Sequence, residues 1–168
     1  MTDRKSERES VHDIARKVLH DPVNFLAFGF GTGLAPVAPG TAGSLLGIAV
    51  AWLSLPLAAE WRLLIGIVAF LVGIWLCGES ARRLGIHDHP GIVWDEVVAM
   101  YLVLLTVPPE IVLWALAFGL FRLFDIWKPW PIRDLDHRLR GGAGIMLDDL
   151  AAAFYAASVL GFGRWLMS

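Results

Sequence analysis

Charge and cysteine are what this sequence has least of. Only 18% of its 168 residues are charged, against about 25% in an average soluble domain. Hydrophobic residues make up 57%, well above the usual share of about 45–50%, and the mean hydropathy is +0.61. A water-soluble fold is therefore excluded, and the length suits one small integral membrane domain with no room for a separate soluble one. The single cysteine, Cys77, excludes an internal disulfide and a multi-cysteine metal site. No secretory leader is expected, because the first apolar run follows a long polar stretch. Internal repeats and low-complexity stretches are absent too, and the net charge of -2 says little about partners.

Long apolar runs are what the sequence does have. Five can be marked, at 41–58, 61–81, 92–107, 110–127 and 145–167. About 20 helical residues cross a bilayer core, so the second and fifth are long enough, while the others must tilt, thin the membrane or be partly re-entrant. Pro56 and Pro108-Pro109 mark tight hairpin turns between runs. Val11, Ile14, Ala15, Val18 and Leu19 follow the spacing of an amphipathic helix in the membrane interface, with Arg16 and Lys17 at its polar edge. The expected fold is all-α: a small polytopic bundle of four to five membrane-embedded helices. Residues 1–24 form an interfacial segment and 25–168 the embedded domain. With five crossings, all 14 Lys and Arg except Arg62 and Arg164 fall on one side, which the positive-inside rule assigns to the cytoplasm.

Carboxylates interrupt these runs. Asp95-Glu96, Asp125 and Asp148-Asp149 all sit at related depths near the loaded side. An acid in a spanning helix costs about 2.5–3.5 kcal/mol on insertion scales, so function is the default explanation. Five such oxygen donors suggest a cage for a hard divalent cation such as Mg²⁺. Asp95 and Glu96, about 100° apart on a helix, are expected to diverge. Glu96 is then the preferred ligand, and Asp95 faces a basic group or caps the helix.

Three polar regions share that side. The first holds Gly31-Thr32-Gly33, Pro39-Gly40-Thr41 and Gly43-Ser44. Its glycines allow close backbone approach, and its hydroxyls could donate to a phosphate at a helix start. The competing explanation is a glycine-rich helix start capped by Thr41. The second holds His87-Asp88-His89, where imidazoles could ligate metal, shuttle protons or serve as polar loop residues. The third is the densest, with Arg122, Asp125, Lys128 and Arg133 ahead of Asp148-Asp149. Lys128 and Arg133 offer positive charge to a phosphate, whereas Arg138 and Arg140 are explained by positive-inside anchoring. Cys77 and Arg83 have the C-x5-R spacing of a cysteine phosphatase, but the segment continues an apolar helix and Glu79 would repel phosphate. Cys77 is read as a packing residue and Glu79 as interfacial charge. Carboxylates beside cationic and N–H donors point to metal-assisted phosphoester chemistry.

These motifs, together with Val93-Trp94-Asp95-Glu96, the run from Phe124 to Arg133 and Gly144 to Asp149, resemble the bacterial phosphatidylglycerophosphatase A family from residue 25 to about 155. The resemblance implies a Mg²⁺-dependent phosphatase of the bacterial inner membrane. Such an enzyme hydrolyses phosphatidylglycerophosphate to phosphatidylglycerol and phosphate at the cytoplasmic leaflet. It implies Glu96, Asp125, Asp148 and Asp149 as metal ligands and Asp95 or His89 as proton acceptor, with Asp149 also counted in the catalytic set. Thr32, Thr41, Ser44, Lys128 and Arg133 would bind the substrate phosphate. The expected partners are the lipid and the bilayer, not nucleic acid. Two rivals fit less well. A phosphatidyltransferase needs an Asp-Gly-x-x-Ala-Arg core that does not occur here, and a cation transporter needs polar residues in the distal halves of the spans, which hold almost none.

Overall fold

The computed structural model describes residues 13–86, 89–130 and 141–167, and every regular element among them is helical. A short helix over residues 13–20 (α1) leads into α2 (Pro22–Ala27). Asp21 caps α2 by accepting from the N–H groups of Val23 and Asn24, and Pro22 fills the first turn where its missing N–H costs nothing. One 3-10 turn, Thr32–Leu34, precedes α3 (Pro39–Ser54) and α4 (Ala59–Leu84). Then come α5 (Trp94–Leu104), α6 (Ile111–Trp127) and α7 (Gly142–Met167). The expected proline turns fall between α3 and α4 and between α5 and α6.

The shortest of the major helices occupies the centre. α5 packs against α3, α4, α6 and α7, and most of its 11 residues are buried. α3 comes close because Gly43 and Gly47 face it: a methyl at Gly43 would sit 2.8 Å from Val93 Cβ, and one at Gly47 2.6 Å from the Val97 carbonyl oxygen. α7 nests on α4 in the same way, since a methyl at Gly142 would collide with the Ile74 carbonyl. Small residues do this work in membrane bundles, where dispersion between closely spaced backbones replaces the hydrophobic drive. One buried cluster joins Met100, Leu104, Trp114, Phe121 and Ala152 across α5, α6 and α7. A second joins Phe28, Leu76, Cys77, Val98 and Met146.

Two helices are long and apolar enough to cross a membrane, α4 and α7, each of 26 residues. Only 28% and 39% of their apolar windows are buried, so most of that surface faces outward, including Trp61, Leu71 and Trp75 on α4 and Phe154 and Phe162 on α7. The expectation of four to five spanning segments is not met by this criterion. α3, α5 and α6 have 16, 11 and 17 residues, and α5 would reach only about 16 Å at ~1.5 Å per residue. The amphipathic helix is present, but its apolar face turns inward. Ile14 and Val18 pack into the second cluster, while Leu19, expected on that face, is exposed.

Candidate active site

Successive helices alternate in direction, which brings the starts of α3, α5 and α7 to the same end as the close of α6. The five carboxylates of the apolar runs therefore converge there. Oxygen atoms of Asp95, Glu96 and Asp149 lie within 4.8 Å of one another. Asp95 and Asp149 are buried, and the Glu96 side chain is 14% exposed. The expected divergence of Asp95 and Glu96 does not occur, because from the first turn of α5 both carboxyls can bend toward the start of α7. Glu96 turns toward both the acids and Arg122, whose Nη1 is 3.8 Å away.

Arg122 is the residue the sequence reading undervalued. The sequence places it in the third polar region without a role of its own, yet its guanidinium is 2.6 Å from Asp125 and 3.8 Å from Glu96. The i,i+3 spacing of Arg122 and Asp125 on one helix was the available signal. Opposite it lies Gly40 of α3: a methyl there would strike Glu96 Oε1 and come 2.9 Å from Arg122 Nη1. A side chain at residue 40 would fill the space between acid and base.

The remaining expected residues divide. Asp125 is next to Asp149 as well as Arg122. Asp148 receives a hydrogen bond from Lys128 Nζ at 2.6 Å and accepts the Asp149 N–H on its other oxygen. Lys128 ends α6 in a left-handed conformation, φ 45°, unusual for a residue other than glycine and typical of functional sites. Thr41 is half-buried in the first turn of α3, beside Gly40. Ser44 is fully buried and donates to the Gly40 carbonyl, while the Thr32 hydroxyl donates to Gly29 within its own turn. Both hydroxyls thus serve the backbone here. His89 accepts the Gly91 N–H on Nδ1 and its ring lies 5.3 Å from that of Phe28, outside the carboxylate trio. His87, Asp88 and Arg133 lie outside the described residues.

Unmet hydrogen-bonding capacity marks this site. Asp95 Oδ1, Glu96 Oε2 and Asp149 Oδ2 are buried and lack a hydrogen-bond partner, as does Arg122 Nε, while Arg122 Nη1 is ion-paired with Asp125 Oδ2 at 2.6 Å. Buried polar atoms are nearly always paired, so several orphans at one spot imply a ligand that pairs them. Like charges ~4 Å apart repel by about 4 kcal/mol per pair at an effective dielectric of about 20. A hard cation relieves that repulsion and accepts the carboxylate oxygens, so the donor set fits Mg²⁺. The Arg122 guanidinium, whose Nε has no partner, fits an anion beside it.

Comparison with known proteins places the chain in a family. Residues 25–164 match the family described as Phosphatidylglycerophosphatase A. A protein of that name from Escherichia coli is 41% identical over 88% of this chain and 87% of its own length. Another from Haemophilus influenzae is 48% identical over 84% of this chain and 88% of its own. A Bacteroides thetaiotaomicron protein with the provisional name of a phosphatidylinositol-3-phosphatase is 36% identical over 83% and 91%. No solved structure matches the chain. With the family matched across most of its length and relatives well above 30% identity, this chain belongs to the phosphatidylglycerophosphatase A family.

Proposed function

We propose that this protein is a Mg²⁺-dependent lipid phosphatase that hydrolyses phosphatidylglycerophosphate to phosphatidylglycerol and phosphate, the closing step of phosphatidylglycerol biosynthesis. The observation that carries the reading is the trio Asp95, Glu96 and Asp149, whose buried, unpartnered oxygens lie beside the Arg122 guanidinium in a member of this family. α4 and α7 cross the bacterial inner membrane, and α3, α5 and α6 are embedded beside them with residues 1–24 as an interfacial segment before the 25–168 domain. The polar end of the bundle faces the cytoplasm, in keeping with the distribution of Lys and Arg.

In this mechanism Asp95, Glu96 and Asp149 would hold the Mg²⁺, with Asp125 and Asp148 around them. Bound there, the cation would supply charge neutralisation and Lewis acidity toward a phosphate oxygen. Arg122 holds two phosphate oxygens in its planar fork, and Lys128 adds a second positive charge beside Asp148. The absent side chain at Gly40 leaves room for the phosphate between Glu96 and Arg122. The Asp95 oxygen not engaged by the cation, or the His89 imidazole, accepts the proton of the attacking water. The bond between phosphorus and the glycerol oxygen breaks, and that oxygen takes up a proton to give the free hydroxyl of phosphatidylglycerol. Burial of the acids between α5 and α7 limits access to other waters.

The direct test is phosphate release by purified protein from phosphatidylglycerophosphate in detergent micelles, with Mg²⁺ and with a chelator. Release that requires Mg²⁺ is expected, and no release from folded protein would overturn the assignment. A parallel arm with phosphatidylinositol 3-phosphate addresses the name carried by the Bacteroides relative. Faster turnover of that lipid would shift the substrate while leaving the chemistry in place.

A further inference from the structure

α3 and α6 both pack on α5, but between them they leave a groove of about 900 Å³. Its walls are apolar: Leu45, Ile48, Ala49 and Trp52 on α3 face Ala115 and Phe118 on α6, and Glu110 at one end is the single charged residue in the lining. The two helices approach each other at both limits. At one end Trp52 and Trp114 meet edge to face, ring centroids 6.1 Å apart. At the other, Gly40 meets Arg122.

That second limit is the active site. Leu45 lies one helical turn beyond Thr41, and Phe118 one turn before Arg122, so the lining of the groove ends about one turn short of the guanidinium on both helices. From Leu45 to Leu53 the apolar wall runs about 12 Å at ~1.5 Å per residue. A molecule lying along it would have an anionic group at Arg122 and at least 10 Å of hydrocarbon below, by the same rise per residue. The two alanines are the small residues on facing walls, and both are exposed to the groove.

We propose that this groove is the acyl-chain subsite, which receives one fatty acyl chain of the diacyl lipid while its terminal phosphate reaches Arg122. The proposal rests on the lipid-phosphatase reading and adds how the lipid is selected: substrate enters sideways from the bilayer between α3 and α6. A head-group phosphate without acyl chains would gain nothing from the groove.

Bulky substitutions on the facing walls test this. Ala49→Trp and Ala115→Trp fill the groove from exposed positions that carry no catalytic group. Each is expected to raise KM for dioleoyl phosphatidylglycerophosphate in mixed micelles about tenfold, the scale of a misfitted apolar pocket. Turnover of the deacylated substrate, glycerophosphoglycerol phosphate, should be unchanged. Equal effects on both substrates, or none, would overturn the proposal. Photolabelling of the unaltered full chain by a phospholipid with a diazirine near the end of one acyl chain gives a second, independent readout. Labels concentrated on residues 45–53 and 111–118 are expected; labels spread evenly over the outer faces of α4 and α7 refute a defined subsite. If the unaltered chain turns over neither substrate, the phosphatase reading fails, and the labelling pattern still decides the groove.

Discussion

Two acidic clusters sit near the same end of this bundle, and they are built on opposite principles. At the surface, Asp21 and Glu79 meet Arg82 and Arg83, and every carboxyl oxygen has a partner. Glu79 accepts from both arginines at 2.7–2.8 Å, and Asp21 accepts from Arg83 at 2.8 Å as well as from the N–H groups of α2. The interior trio of Asp95, Glu96 and Asp149 has fewer donors than acceptors and leaves three oxygens unpaired where water is scarce. The surface network clips α2 to the end of α4 and asks for nothing more. The interior one is complete only when something else is bound, as expected for a site rather than a brace.

Breaking the interior cluster should have the largest effect. Asp149→Asn or Asp95→Asn is expected to lower phosphate release on the order of a thousandfold or more, as when a group that acts only in the transition state is lost. Helical content should be kept, and the rise in melting midpoint that Mg²⁺ is expected to give the unaltered chain should be lost. Retained activity in both variants would remove the trio from the chemistry. Arg122→Ala should cost roughly 10–100-fold in kcat/KM, with Arg122→Lys recovering only part, because an ammonium supplies charge without the fork. Full recovery by lysine would show that charge alone matters there.

The next effects concern stability. Gly47→Ala pushes a methyl against the Val97 carbonyl, so α3 must move off α5; a loss of about 1–3 kcal/mol is expected from chemical denaturation in detergent. An unchanged midpoint would mean the α3–α5 contact yields freely. Asp21→Asn should change least, leaving kcat intact. Burial tends to raise the Asp21 carboxyl, but hydrogen bonds from Arg83 and from the Val23 and Asn24 N–H groups outweigh it and hold the group below its ordinary value of 3.8. A depressed folded value means its contribution is present above that ordinary value and fades as pH falls through the lower folded one. The stability gap between Asp21→Asn and the unaltered chain should therefore narrow below about pH 4, and a gap that is flat with pH would contradict the ion pair.

Much of this could be read beforehand, for identifiable reasons. The helices were legible because apolar runs broken by Pro56 and Pro108-Pro109 allow few alternatives. The carboxylates stood out because an acid in such a run needs an explanation. Arg122, named in the third polar region, carries no assigned role in the sequence because a basic residue near the end of an apolar helix is ordinary, and only its i,i+3 relation to Asp125 hints at more. Ser44 and Thr32 looked like phosphate donors since hydroxyls in glycine-rich turns often are, yet each satisfies a carbonyl of its own backbone. Leu19 fitted the helical period and still faces outward, because α1 buries only the narrower stripe of Ile14 and Val18.

By itself the sequence determined class and family: a greasy helical chain, acids set into its apolar runs and a family-wide set of motifs. Those properties are local or additive, so they survive without knowledge of packing. Only the tertiary structure decided which acids meet, that Arg122 rather than a hydroxyl stands among them, and that α3 and α6 part below them to leave an apolar groove. Such outcomes depend on how closely backbones approach at Gly40, Gly43 and Gly47 and on which way each helix is rotated, which no single segment specifies.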